Sequence, residues 1–288
     1  MLKNATIGLV PLNWKYSPEN IDSYLEGIAG YGFEGIQISL DQGNSEAFVQ
    51  KMSSLRLRNA EHYIAIRCNQ DGPLDGYVDE YLNQVAFAGK HKVEMLVLAV
   101  DGTLDREKVA GRVDSSHSMT DAGVKALAQL LNRIAAEGQK VGVASSFHPH
   151  AATYIETPEE TRSLFEYLDE SLVSMCLDVG HWIVGGGDPV EAVHEYGAKI
   201  THVHVKDVDG DVLGRMIKGD FETMEDAVVQ GKLFVPAGTG LLDLPGFFES
   251  LERVGFSAWL MSEQDSAHEP SEAASGVSMT NIKLSLTR

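Results

Sequence analysis

Eight short apolar or β-branched runs, each followed by a stretch of helical periodicity, constrain this chain more than any other feature of its sequence. The runs are ATIGLVPL from Ala5, EGIQIS from Glu34, HYIAIRC from His62, VEMLVLAV from Val93, KVGVASSF from Lys140, VSMCLDV from Val173, KITHVHV from Lys199 and SAWLMSE from Ser257. Between them, segments such as IDSYLEGIAGYGF, VKALAQLLNRIAAEGQ, TRSLFEYL and LPGFFESLERVGF place apolar residues at i, i+3, i+4 and i+7, the stripe of an amphipathic helix. Ser17-Pro18, Thr157-Pro158 and Asp188-Pro189 read as caps before a proline at the first helical position, and Gly32, Gly138 and Gly255 as helix stops. Apolar strands alternating with helices call for a parallel sheet covered on its outer face. Sharing 288 residues among eight units leaves 36 for each, which fits a (β/α)8 barrel, the TIM barrel, better than an open doubly wound sheet. No Gly/Ser linker or repeat divides the chain, so residues 1–288 read as a single barrel domain.

The two longest intervals between strands carry DGTLDREKVAGRVDSSHSM after the fourth run and DVDGDVLGRMIKGDFETMEDAVVQGKLFVPAGTG after the seventh. Both leave the C-terminal end of a strand, where barrel active sites are built, and are expected to act as lids. The net charge of −19 excludes a nucleic-acid partner, because that affinity comes from lysine and arginine neutralising phosphates. No apolar run reaches the roughly 18 residues of a membrane span, and the N-terminus lacks the apolar stretch of a signal peptide, so a soluble cytoplasmic protein is expected. Cys68 and Cys176 are read as buried reduced thiols. GGGDP at Gly185 and PAGTG at Pro236 match neither a Walker loop nor a dinucleotide fingerprint and are read as turns. No G-x-S-x-G elbow is present.

Histidines and acids cluster at successive strand ends: His148 and His150 after the fifth run, Asp178 and His181 at the sixth, His202, His204 and Asp207 at the seventh, and Glu263 at the eighth. In a barrel these ends converge on one mouth. His148, Asp178, His204 and Glu263 are therefore expected to share one cup, and two imidazoles with two carboxylates suit Mn, Co, Fe or Zn rather than an all-oxygen calcium cage. Period-2 alternation in HVHV sends His202 to the same face as His204 but about 6.8 Å deeper, which gives His202 an interior hydrogen-bonding role. His62, His91, His117, His194 and His268 read as ordinary polar residues. Asp178 has a rival role as a cap for the segment after it.

The runs CLDVGHWIVGGGDP, THVHVKDV and VPAGTGLLDLPGFFESLERVGFSAWLMSEQD, with the opening IGLVPLNW and the segment HPHAATYIET, resemble the sugar phosphate isomerase/epimerase superfamily of xylose isomerase-like barrels, and within it the inosose dehydratases. By position, the resemblance implies a divalent metal, Mn or Co first and Zn, Fe or Mg after them, held by Asp178, His204 and Glu263. Relatives place a glutamate at the end of the fifth strand, where this chain has FHPH; His148 takes that place and His150 that of the histidine after it. The stretch Gln37 to Ser39 also departs from the carboxylate expected after the second strand.

What the resemblance implies chemically is β-elimination of water from a keto-polyol, a small sugar or cyclitol, by an enzyme compatible with a homo-oligomer. Glu263 or His181 would remove the α-proton, Lys206 or His150 would polarise the carbonyl or protonate the departing hydroxyl, and Trp14 and Lys15 would offer the substrate an apolar wall and a donor. The alternatives are a ketose isomerase or 3-epimerase, cleavage of a 3-keto-C-glycoside, and a non-catalytic binding barrel. A DNA-repair endonuclease of the same superfamily is disfavoured by the charge.

Overall fold

The computed structural model describes residues 2, 5–268 and 270–287. Eight parallel strands close into a barrel: β1 (Thr6–Leu9), β2 (Gly35–Gln37), β3 (Arg58–Ile66), β4 (Met95–Val100), β5 (Ala144–Phe147), β6 (Val173–Asp178), β7 (Ile200–Val205) and β8 (Trp259–Ser262). Each pairs with its sequence neighbours, and β1 closes the ring on β8 through Thr6 to Ser262. Seven lie within the apolar runs expected to form them, and β3 overlaps its run but begins earlier, at Arg58 rather than His62. That extension brings Glu61 into the strand, paired with Gln37 on β2 and Met95 on β4.

One outer helix covers the barrel after each strand: α1 (Ile21–Tyr31), α2 (Glu46–Leu55), α3 (Val78–Lys90), α4 (Asp121–Lys140), α5 (Pro158–Phe165), α6 (Pro189–Tyr196), α7 (Leu244–Arg253) and α8 (Ser271–Leu286), with a further helix, Gly210–Lys218, inside the second long interval. Their apolar faces, with Leu25 and Ile28 on α1 and Leu127, Leu131 and Ile134 on α4, form the main core against the outside of the strands. Thr157 and Asp188 cap α5 and α6 as expected, Thr157 through a capping box with Glu160. The Ser17-Pro18 signal is corrected. Helix α1 begins at Ile21, because Asn20 ties back to Ser17 N and Lys15 O and turns the chain before the helix starts. Gly138 likewise does not end α4; it lies inside that helix, where an added Cβ would crowd Val143 O and Leu96. Among the described residues no helix is long and apolar enough to cross a membrane.

The two long intervals fold over the mouth and build a second core of their own. Ala110 from the first meets Val212, Met216, Met224 and Phe234 from the second, together with Ala151, Ala152 and Val184 from the loops after β5 and β6. Polar contacts join the same pieces: Glu225 N donates to Glu107 at 2.9 Å, and Gly111 N donates to Glu156 at 2.7 Å. The buried Arg106 forks onto Glu160 at 2.8 and 2.9 Å and so fastens the first insertion to the start of α5. Asp207 staples the second insertion. Its carboxylate accepts from the backbone N–H groups of Val208, Gly238, Gly240 and Leu242 at 2.8 to 2.9 Å, which makes PAGTG a turn wrapped around an acid. A Cβ on Gly240 would sit 2.3 Å from Val208 O. GGGDP is also a turn, in which Gly186 adopts φ +84° before Asp188 caps α6.

Candidate metal centre

Strand geometry sets the site. β6 and β7 pair with Asp178 beside His204, β8 pairs with β7 so that Met261 lies beside His204, and Glu263 follows two residues on. His148 leaves the end of β5, its N–H held by Leu98 O. One ligand atom from each of His148, Asp178, His204 and Glu263 lies within 4.8 Å of the others. His148 Nε2 is 3.6 Å from Asp178 Oδ2, and His204 Nδ1 is 3.7 Å from the same oxygen and 2.5 Å from Glu263 Oε2.

The cluster fits a divalent cation. Asp178 Oδ2, Glu263 Oε2 and His204 Nδ1 are buried with no hydrogen-bond partner, although two of them are in contact. Atoms that carry lone pairs and face one another without a shared proton are costly, each about 1–3 kcal/mol; a cation among them removes that cost. Asp178 serves both readings given to it: Oδ1 accepts from His181 N at 2.8 Å and caps the short helix Val179–Val184, while Oδ2 faces the cluster.

Beside the cluster, Lys206 is fully buried. Its ammonium lies 2.6 Å from Asp265, 3.1 Å from Glu263 and 3.3 Å from Asp178, and it donates to His181 Nε2 at 2.8 Å. Burial opposes its charge, but those three carboxylates hold its pKa above the ordinary lysine range. Burial in turn pushes Asp265 up to about 6 against the pull of Lys206. His181 stays neutral, lowered by burial and then by His150 and Lys206. Burial, His148 and Lys206 take His150 down to about 3. Its Nδ1 is 2.6 Å from Ala151 O; a carbonyl only accepts, so Nδ1 carries the proton and Nε2 a lone pair. The two rings lie 3.6 Å apart, and Phe234 of the second insertion covers both His181 and Lys206.

The structure thus gathers His148, His150, Asp178, His181, His204, Lys206 and Glu263. Trp14 lines a small cavity together with Glu263, while its indole packs edge-on to Tyr24 and Tyr31 of α1 and donates to Ser275 of α8; Lys15, the next residue, is exposed. His181 changes expected role, since its Nε2 lone pair is occupied by Lys206 and its free Nδ1 is a donor. The ordinary histidines keep their assignment where partners are seen: His62 bridges Ile38 O and Gln84, and His117 meets Asp114. Cys68 and Cys176 are free and buried. Glu61 and Asp265 were not singled out in the sequence. Asp265 was legible, two residues beyond Glu263 in SEQD, whereas Glu61 stands just before the run as it was delimited.

A profile of xylose isomerase-like TIM barrels matches residues 25–283. The chain belongs to the xylose isomerase-like TIM barrel family. Within this family, an inosose dehydratase of Geobacillus kaustophilus (strain HTA426) is 37% identical over 151 residues, which is 52% of this chain and 48% of that protein. The chain therefore matches about half the length of that relative. An inosose dehydratase of Clostridium beijerinckii (strain ATCC 51743 / NCIMB 8052) is 25% identical over 276 residues and 92% of both chains. Among solved structures, the 3-keto-D-glucoside 4-epimerase YcjR of E. coli superposes with a TM-score of 0.72 at 17% identity, over 97% of this chain and 99% of that one. The IolI protein with a bound zinc atom does so with a TM-score of 0.67 at 15% identity, over 98% and 96%. These two likenesses establish the barrel alone.

Proposed function

We propose that this chain is a metal-dependent hydro-lyase that removes water from a keto-polyol, with an inosose such as 2-keto-myo-inositol as its substrate and Mn or Co as its metal. The observation that carries the reading is the asymmetry of the cluster. Glu263 and Asp178 both lie beside the Lys206 ammonium, at 3.1 and 3.3 Å, whereas His148 fills the position where a second proton-transferring carboxylate would stand in an epimerase. The dehydratase names of relatives aligned over 92% of the chain support it.

His148, Asp178, His204 and Glu263 would hold a divalent ion, which when bound would supply Lewis-acid polarisation of a ketone and so acidify the adjacent C–H. Glu263 takes the α-proton through Oε1, the oxygen beside Lys206. The Lys206 ammonium stabilises the negative charge that develops on oxygen, in a site where burial strengthens every such interaction. His181 accepts a proton from Lys206 at Nε2 and passes its Nδ1 proton to the departing β-hydroxyl, so the electron pair of the broken C–H bond forms the new double bond while that of the carbon–oxygen bond leaves on oxygen as water. Asp265, 2.6 Å from Lys206, holds the ammonium in place. Phe234 and the capping insertions exclude bulk water.

Incubating the Mn- or Co-loaded protein with 2-keto-myo-inositol in deuterated water and following the mixture by NMR is the test. Loss of water and a new enol or dicarbonyl signal are expected. Formation of an epimer with deuterium at the inverted carbon, and no dehydration, would overturn the reading in favour of a 3-epimerase.

A further inference from the structure

Glu61 is completely buried on β3, inside the barrel. In the ring of strands β3 lies opposite β7, yet the Glu61 carboxylate crosses the lumen and meets two imidazoles of β7. Its Oε2 accepts from His202 Nε2 at 2.5 Å and from His204 Nε2 at 2.9 Å. A carboxylate only accepts, so both imidazoles carry their proton on Nε2. For His204 this fixes the rest of the ring: Nδ1, the nitrogen turned toward Asp178 and Glu263, is left with its lone pair free. For His202 the same bond makes a second tether, which prevents the carboxylate from rotating away from His204.

We infer that Glu61 is a positioning residue of the metal centre: it selects the His204 tautomer that presents Nδ1 to the cation and locks the ring at that angle, with His202 as the strut that holds Glu61 in line. A charged acceptor behind a ligand imidazole also makes the imidazole a stronger donor to metal. The inference rests on the metal-dependent reading above, and it explains why a carboxylate is buried at the centre of the barrel without touching the mouth.

Two measurements test it. In metal-free wild-type protein labelled with ¹⁵N and held at a pH above the titration of His204, long-range proton–nitrogen spectra of the histidine rings should show His204 as the Nε2–H tautomer; an Nδ1–H ring would overturn the inference, and no variant has to fold for this result. In Glu61→Gln the amide oxygen keeps the acceptor but not the negative charge behind His204, so the dissociation constant for Co(II), measured by competition with a chelator, should rise 10- to 100-fold and the d–d absorption bands should shift. An affinity within twofold of wild type with unchanged bands would overturn it. A wild-type protein that retains no metal would remove the metal-dependent reading instead, and the tautomer experiment would still decide the role of Glu61.

Discussion

His202 and His204 stand two residues apart on one strand, share one carboxylate, and are tuned in opposite directions. Burial lowers the pKa of His202 despite its bond to Glu61. Burial works on His204 too, but Cys176, Glu61 and Glu263 around it outweigh the cost and raise it well above the ordinary histidine range. The alternation of HVHV was enough to separate these two roles in the sequence, because side chains of one face recur every second residue. Glu61 was not legible in the same way: its partners are 141 and 143 residues away, and a lone acid in a strand has no local signature. Lys206 also gained its meaning only in space. Its ammonium is balanced by three carboxylates, of which Asp178 and Glu263 belong to the metal cluster. Lys206→Met keeps the length of the side chain and removes the charge; we expect kcat/KM to fall by about 10²–10⁴, while the metal per chain, measured by elemental analysis, stays at the wild-type level. Loss of the metal in this variant would show that Lys206 holds the cluster together rather than acting on substrate.

At the scale of elements, what was legible was what repeats. The strands and most of the outer helices follow from periodicity, and two of the three proline-linked caps were found where a Thr or Asp side chain meets the second or third backbone N–H of a helix. The signal at Ser17 failed because the residues after it turn before they coil, and the long insertions gave a place but no shape, since their core comes from Ala110, Val212, Met216 and Phe234, contributed by separate segments. One glycine links element geometry directly to the site. Gly180 lies in the short helix that Asp178 caps, and a Cβ there would stand 2.6 Å from Lys206 Cγ and 2.8 Å from its Cδ. Lys206 cannot retreat, because its ammonium is fixed among Asp178, Glu263 and Asp265. Gly180→Ala should therefore lower kcat/KM at least about tenfold and cost about 1–3 kcal/mol through overpacking, read as a lower urea midpoint. Wild-type turnover in this variant would mean that the lysine's position is not set by this contact.

The whole molecule carries an acid-sensitive balance that follows from the number of imidazoles it buries. His62, His150, His181 and His202 all have pKa values lowered chiefly by burial, against about 6.5 in the unfolded chain. The unfolded state then binds more protons than the native one once the pH drops below about 6.5, so stability is fully present above that value and falls as the pH falls, each of these histidines adding about 1.4 kcal/mol per pH unit. His204, raised instead of lowered, and the carboxylates of Asp265 and Glu156, pushed up by burial to about 6 and about 7, take protons in the native state first and so offset part of that slope. The net charge of −19 pulls the other way, because acidification relieves repulsion among surface carboxylates. Those charges are exposed and are screened within a few ångströms at about 0.3 M salt, whereas the buried histidines are not. In salt and chelator, Tm should therefore drop between pH 6.5 and 5, and Mn or Co should raise Tm most at the upper end, because metal binding releases protons and is favoured as the pH rises. A Tm that is flat or rising down to pH 5 would mean that these rings become protonated without unfolding, and that the barrel is more open to water than its buried histidines imply.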